Sequence, residues 1–315
     1  MRAYNNEFRY GLFLAPMSGI TDSPMRILCR EHGAELAFTE MISATGLVRA
    51  TKNTMKLLNR PEGDKPLIAQ IFTSEPQDAA LSAKILEDNG FDGIDINMGC
   101  PVKKVVSKGA GAALMRDQER AVEIVEAVLS RVTVPVSVKL RAGWDNSSIT
   151  AVSLAKRCAN AGVNAVIIHP RTRSEMFGSP PRWELISSMK HEVDIPVIAS
   201  GNIRSVKEVE HVKSLGADAY MIGRASVGRP WIFRELRGGP AAGPIERKEL
   251  LLRHLDMLCS YYGRQRGILR MRKFLSAYVK GLSKASAFRQ DANRINEPGQ
   301  LESLIERFDW SDEEV

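Results

Sequence analysis

The feature that most constrains the fold is a series of eight short apolar runs, separated by longer segments with helical spacing. Several runs are almost continuously apolar, which is typical of parallel strands covered on both faces. Repeated strand–helix units with right-handed crossovers give either a closed barrel or an open doubly wound sheet. In chain order the runs occupy residues 12–15, 36–39, 67–71, 93–96, 136–140, 165–169, 196–199 and 219–222.

Two observations favour the closed barrel. Eight strands is the number that closes a (β/α)8 barrel, and no G-x-G-x-x-G motif follows the first run, as a dinucleotide-binding sheet would require. Gly33, Gly90, Gly162 and Gly216 each stand between a helical segment and the next strand, where a left-handed residue ends a helix. We therefore predict an α/β protein with a (β/α)8 TIM barrel.

The barrel is predicted to be followed by a small all-helical domain. A linker is indicated by "GGPAAGP" at residues 238–244, which divides the chain into a barrel domain (1–238) and a helical domain (245–315). Net charge is +7, yet residues 247–294 hold 12 Lys or Arg against 3 acids. Such a segment favours a polyanionic partner, with a solvated basic helix face as the alternative.

The remaining composition restricts location and metal chemistry. No apolar run approaches the length of a membrane span, and the first ten residues lack the apolar centre of a signal peptide, so we expect a cytoplasmic protein without a membrane partner. The four cysteines contain no C-x-x-C pair, which indicates reduced thiols and no metal site.

In a (β/α)8 barrel the active site lies at the C-terminal ends of the strands, so polar residues ending each apolar run are the first candidates. Small residues after the seventh and eighth runs, including Gly201 and Gly223, are typical of a phosphate site, which Arg224 could close. Tight turns alone are the alternative. The candidates at the other strand ends are Pro16, Met17, Ser18, Gln70, Asn97, Cys100, Lys139, Arg141, His169 and Arg171.

Three of these candidates leave more than one chemistry open. Lys139 lies within an apolar strand and could form a Schiff base, stabilise negative charge on a reduced flavin, or belong to a structural ion pair. His169 could equally be a core histidine. Cys100 differs from Cys29, Cys158 and Cys259, which fall in helical patterns, because it follows the fourth run at the barrel mouth.

Six motifs together resemble the bacterial tRNA-dihydrouridine synthases, most closely their B subgroup. The resemblance extends from about residue 12 into the helical tail, and the combination of motifs is more specific than any one of them. They are "LAPMSGITD", "DINMGCPVKKV", "PVSVKLRAGW", "HPRTR", "PVIASGNI" and "MIGRASVGRPWIF", in this order.

The resemblance implies an FMN-binding barrel and a helical tRNA-binding domain, with NADPH as the reductant of FMN and a monomeric enzyme. It implies Cys100 as the catalytic thiol and, on the substrate side, Asn97 and Arg171. Positions that contact FMN would be Pro16, Met17, Ser18, Gln70, Lys139, His169, Ser200, Gly201, Asn202, Gly223, Arg224 and Ala225. From the basic tail, we expect tRNA contacts from Arg264, Arg266, Arg270, Arg272, Lys273 and Lys280.

The implied reaction explains why a thiol would stand at residue 100. Hydride addition to C6 of uracil leaves enolate character that must be protonated at C5, and a thiol with a pKa near 8.5 suits that task. The alternatives are a flavin-dependent reductase of a free pyrimidine or other small molecule, a lyase that uses Lys139 as a Schiff-base nucleophile, and a non-catalytic RNA-binding module.

Overall fold

A computed structural model of the chain describes residues 1–311 and contains a closed barrel of eight parallel strands. Met221 of the last strand pairs with Phe13 of the first, which closes the sheet. All eight predicted strands are present within two residues of their predicted bounds, so the TIM-barrel prediction is confirmed. The barrel strands are β1 Leu12–Leu14, β2 Leu36–Phe38, β3 Leu67–Phe72, β4 Gly93–Met98, β5 Val136–Arg141, β6 Ala165–His169, β7 Val197–Ser200 and β8 Ala219–Ile222. A further strand of two residues, Ile42–Ser43, pairs with the end of β3.

Helices connect the strands and cover the outside of the barrel. The four glycines predicted to end helices have φ between +78° and +110°, a region that residues with a Cβ rarely adopt. The α-helices of this region are Ser23–Glu31, Ala44–Val48, Lys52–Met55, Pro76–Asp88, Lys103–Val106, Gln118–Leu129, Ala151–Ala161, Glu184–Glu192, Val206–Ser214 and Ile232–Leu236. Short 3-10 helices occupy Lys56–Leu58, Gly111–Met115 and Arg224–Ser226.

A small N-terminal hairpin closes the bottom of the barrel. Its strands, Arg2–Ala3 and Asn6–Glu7, are antiparallel, and the Phe8 ring packs edge-on against Phe13 inside the barrel with centroids 4.8 Å apart. Tyr4 is buried beside Phe38 and the start of β4. Burying an aromatic side chain contributes about 1.5–3 kcal/mol, so the hairpin seals this end and leaves the opposite mouth for a ligand.

Up to residue 311, the C-terminal tail contains five helices, at Pro244–Tyr262, Arg264–Met271, Leu275–Tyr278, Ala285–Arg294 and Pro298–Arg307. No helix or strand occupies residues 238–243, where the linker was predicted. Apolar tail residues such as Leu251 and Leu255 belong to the same buried cluster as the outer barrel residues. The tail is therefore packed on the barrel. The division into two domains at the linker stays a prediction, and residues 312–315 of the predicted helical domain lie outside the described part.

Polar contacts also join the tail to the barrel. Tyr262 donates to Asp22 at 3.0 Å, and the Lys273 ammonium donates to the Gly19 carbonyl at 3.0 Å, both next to the loop that follows β1. Between residues 1 and 311, no helix is long and apolar enough to cross a bilayer.

Candidate active site

A cavity of about 1120 Å³ opens at the C-terminal ends of the barrel strands and continues toward the tail. Most predicted site residues line it, although they come from six different strand ends and, for Lys280, from the tail. Gln70 and Arg171 do not, because both are buried beneath its surface. The predicted residues in the wall are Pro16, Met17, Ser18, Asn97, Cys100, Lys139, Arg141, His169, Ser200, Gly201, Asn202, Gly223, Arg224, Ala225 and Lys280.

The charge of the cavity wall is strongly positive. Seven basic side chains line it against one acid, Glu235, and that acid is paired with Arg229. The surplus favours an anionic ligand. Residues 1–311 contain no group of three His, Cys, Asp or Glu side chains able to hold a metal ion. The basic residues are Lys139, Arg141, Arg204, Arg224, Arg229, Arg247 and Lys280.

The loops after β7 and β8 form one corner of the cavity. Gly201 has a φ of +107°, and a Cβ there would lie 2.3 Å from Cδ2 of His169, so only glycine fits. Arg224 donates to the side-chain oxygen of Asn202 at 3.1 Å, which brings the two loops together. A glycine-containing loop beside a guanidinium suits a phosphate group.

Lys139 lies in the middle of the polar wall, on β5. Burial lowers the pKa of its ammonium group, while the charge of Asp95 opposes that shift. No ion pair joins Lys139 to a carboxylate in the described part of the chain. A partly desolvated cation of this kind stabilises negative charge that a ligand brings into the cavity.

His169 is held as a neutral ring at the end of β6. Burial lowers its pKa well below the usual range, and the surrounding charges of Lys139, Arg141, Arg171 and Arg224 act in the same direction. Arg171 approaches Nε2 of the ring at 3.0 Å, and because a guanidinium can only donate, Nε2 accepts. The ring proton therefore resides on Nδ1. Arg171 is buried and supports His169 instead of facing the cavity.

Cys100 is placed where the sequence predicted, just after β4 in the cavity wall, with 8% of its surface exposed. Burial raises the pKa of its thiol, against the Val102 amide and the charges of Arg141 and Lys139. The thiol is therefore protonated at neutral pH. Its amide donates to Asn97 Oδ1 at 2.9 Å, and its carbonyl accepts from the Ala112 amide at 3.0 Å, which fixes the main chain on both sides.

Arg141, at the end of β5, joins the Cys100 loop to the loop after β6. Its Nε donates to the Gly99 carbonyl at 2.8 Å, and its Nη1 donates to the carbonyls of Thr172 and Met176 at the same distance. The guanidinium also lies 5.3 Å from the ring of Phe177, a cavity residue that is 48% exposed. Sequence reasoning found the position of Arg141 at a strand end but not this bridging role.

Asp95 is the polar residue that sequence reasoning missed. It lies on β4 inside the barrel, fully buried, and accepts hydrogen bonds from Ser137 Oγ and Gln70 Nε2, each at 2.6 Å. Burial raises the pKa of its carboxyl group, and the two hydrogen bonds and the charge of Lys139 oppose the shift. An acid within an apolar strand was visible in the sequence, just as Lys139 was, and could have identified it.

The six predicted tRNA-contact residues fall into two groups. Arg264, Arg266, Lys273 and Lys280 are exposed on the tail surface. Arg270 stacks over the ring of Tyr262 at 4.3 Å, and Arg272 donates to the Ile295 carbonyl at 3.0 Å, so these two side chains stabilise the tail itself.

Comparisons with known proteins place the chain in a family. It is similar to two proteins named tRNA-dihydrouridine synthase B: one from Pseudomonas aeruginosa is 41% identical, over 94% of this chain and 92% of that protein. The other, from Xanthomonas axonopodis pv. citri, is 38% identical over 95% of this chain and 92% of that protein. Morphinone reductase in complex with tetrahydroNAD shares the barrel fold, with a TM-score of 0.54 and 13% identity over 74% of this chain and 88% of that one. A family model described as Dihydrouridine synthase (Dus) matches residues 13–311, and the chain belongs to that family.

Proposed function

We propose that this protein is a flavin-dependent enzyme that reduces the C5=C6 bond of uridines in tRNA to give dihydrouridine. One observation carries the proposal: in a chain of this family, Cys100, Lys139 and the corner formed by Gly201, Asn202 and Arg224 share one positively charged cavity. The relatives from Pseudomonas aeruginosa and Xanthomonas axonopodis, named as acting on tRNA, support the substrate.

FMN would occupy this cavity. Ser200 to Asn202 and Gly223 to Ala225 would hold its phosphate, and the loop Pro16–Ser18 would border the ring system. Lys139 would place its charge against the part of the ring that gains electrons, with His169 donating from Nδ1. Bound there and reduced by NADPH, FMN would supply the hydride. We expect the enzyme to act as a monomer.

Cys100 would act as the general acid. Its protonated thiol can transfer the proton to C5 of the base, and hydrogen bonds with Asn97 and Arg141 hold the main chain of the loop that carries it. The charges of Lys139 and Arg141 would then stabilise the thiolate that remains until a solvent proton restores it.

The tail would bind the tRNA and present the base. A base stacked in folded RNA must leave its stack to reach a buried thiol, and this costs a few kcal/mol. Contacts between exposed basic residues and phosphates offset that cost. Arg264, Arg266 and Lys280 suit this role because they are exposed and Lys280 also borders the cavity.

Two measurements test the proposal: identification of the bound cofactor, and a comparison of tRNA with free uridine as oxidants of the reduced protein. We expect the purified protein to be yellow and to release FMN on denaturation. After anaerobic reduction by NADPH, tRNA lacking dihydrouridine should reoxidise the flavin, and free uridine should not. Reoxidation by free uridine at the same rate would favour the small-molecule reductase instead.

Replacing Arg224 with alanine should weaken FMN binding by about tenfold, because hydrogen bonds to a charged group contribute about 1.5–3 kcal/mol and this guanidinium is exposed. The measurement is a titration of flavin-free protein, followed by fluorescence. Riboflavin, which lacks the phosphate, is the matched control and should bind both proteins equally. An equal loss for both flavins would contradict a phosphate contact.

The step that consumes tRNA should slow at alkaline pH. A general acid works only while protonated, so its contribution is present below its pKa and is lost as pH rises through it. Because burial raises the pKa of Cys100, the loss should begin above the usual thiol range near pH 8.5. Stopped-flow measurement of flavin reoxidation by tRNA at each pH tests this. The pKa of Lys139 is lowered, so its charge is also lost at alkaline pH. The rate of flavin reduction by NADPH, in which Cys100 takes no part, is the control for that loss. A rate that increases through this range would identify the thiolate as the active form.

A further inference from the structure

We infer that Asp95 is a positioning residue for Cys100 and that it acts through a chain of hydrogen bonds formed by Gln70 and Asn97. The chain runs from the barrel interior to the cavity wall. Gln70 Nε2 donates to Asp95 Oδ2 at 2.6 Å, Asn97 Nδ2 donates to Gln70 Oε1 at 2.8 Å, and the Cys100 amide donates to Asn97 Oδ1 at 2.9 Å.

The direction of this chain is fixed at its upper end. The amides of Gly99 and Cys100 can only donate, and both point to the Asn97 side chain, at 3.1 Å and 2.9 Å. That side chain must therefore present its oxygen to the loop and its nitrogen to Gln70. Gln70 must in turn present its oxygen upward and its nitrogen to residue 95.

The lower end consequently requires an acceptor. A carboxylate meets this requirement, because both of its oxygens accept, one from Gln70 and the other from Ser137. Gln70 and Asp95 are fully buried, so water offers no ready substitute for a partner lost between them. With an apolar residue at position 95, the Gln70 nitrogen would be left unsatisfied, and the simplest relief is to rotate the amide.

Rotation of Gln70 would be transmitted to the Cys100 loop. Its nitrogen would then face the nitrogen of Asn97, and Asn97 could hold Gln70 only by turning its own oxygen away from the amides of Gly99 and Cys100. The loop would lose the hydrogen bonds to Asn97 Oδ1 that hold the main chain of Gly99 and Cys100. Asp95 thus controls the thiol from a site it does not touch.

Two variants separate the relay from the charge of Asp95. Asp95→Asn and Asp95→Leu both remove the charge, but asparagine can still present an oxygen to Gln70 and its nitrogen to Ser137. Only leucine breaks the relay. Any difference between the two variants therefore reports the hydrogen-bond chain and not the loss of a charge near Cys100.

The readout is alkylation of Cys100 by iodoacetamide in the full-length protein, quantified by peptide mass spectrometry at several pH values. We expect Asp95→Leu to be alkylated about tenfold faster than Asp95→Asn, because a released loop exposes a thiol that is otherwise buried. Equal rates in the two variants would overturn the inference.

Cys29 and Cys158 provide an internal control, because both are fully buried in barrel helices and should remain unlabelled. If either cysteine is alkylated in Asp95→Leu, that variant is replaced by Gln70→Met, which removes the middle of the relay. Gln70→Met is then compared with Asp95→Asn, and equal rates of Cys100 alkylation would again overturn the inference. The consequence for catalysis rests on the proposed function, but the labelling result does not. A protein that made no dihydrouridine could still show the relay.

Discussion

Replacing Cys100 with alanine is expected to lower the rate of dihydrouridine formation by about 10²–10⁴, the range typical of a positioned general acid. The thiol is protonated, faces the cavity and has no second cysteine nearby to replace it, since Cys29, Cys158 and Cys259 lie in separate helices. The measurement is single-turnover formation of dihydrouridine in tRNA, quantified by nucleoside mass spectrometry.

The same variant should keep its flavin and the rate at which NADPH reduces it, because Lys139 and the corner formed by Gly201, Asn202 and Arg224 are unchanged. This half-reaction is therefore the control for folding and for cofactor binding. A variant that formed dihydrouridine at the normal rate would remove Cys100 from the reaction, and one that lost flavin reduction as well would point to a structural role.

The second large effect concerns tRNA binding. Replacing Arg264, Arg266 and Lys280 together with alanine should reduce the slope of log K against log salt concentration by about 2 to 3, since each lost phosphate contact removes about 0.7–0.9. These side chains are exposed and form no ion pair within residues 1–311. Affinity measured by filter binding over a series of salt concentrations gives the slope directly.

A matched control keeps the change in net charge the same. Lys84, Lys156 and Lys213 are exposed on barrel helices and each is paired with an acid on the outer surface. Replacing these three should leave the slope nearly unchanged. If the slope decreased equally in both triple variants, long-range attraction by the total charge would explain binding, and the tail would not be the contact surface.

The barrel could be predicted because its determinants are local in the sequence. Apolar strands buried on both faces leave uninterrupted apolar runs, and helix ends leave glycines such as Gly162, which adopts φ +110°. The N-terminal hairpin was missed because strands of two residues, Arg2–Ala3 and Asn6–Glu7, have no periodicity to detect. Its stability comes from contacts with Phe13 and Phe38, which only the closed barrel creates.

The site was predicted where position along a strand decides exposure. Cys100 and Lys139 stand at or near strand ends and reach the cavity as expected. Arg171 shows the limit of this reasoning, because it also follows a strand yet turns inward to His169. Arg270 shows the same limit in the tail, since sequence records its charge but not the ring of Tyr262 beneath it. The direction in which a side chain points at such positions depends on tertiary packing.

The central claim is tested most directly by one stoichiometric reaction. The protein is reduced anaerobically with one equivalent of NADPH and mixed with excess tRNA that lacks dihydrouridine, and both flavin absorbance and dihydrouridine are measured. We predict that one dihydrouridine forms for each flavin that is reoxidised. Flavin that stays reduced while the tRNA remains unchanged, or a purified protein that binds no flavin, would contradict the claim.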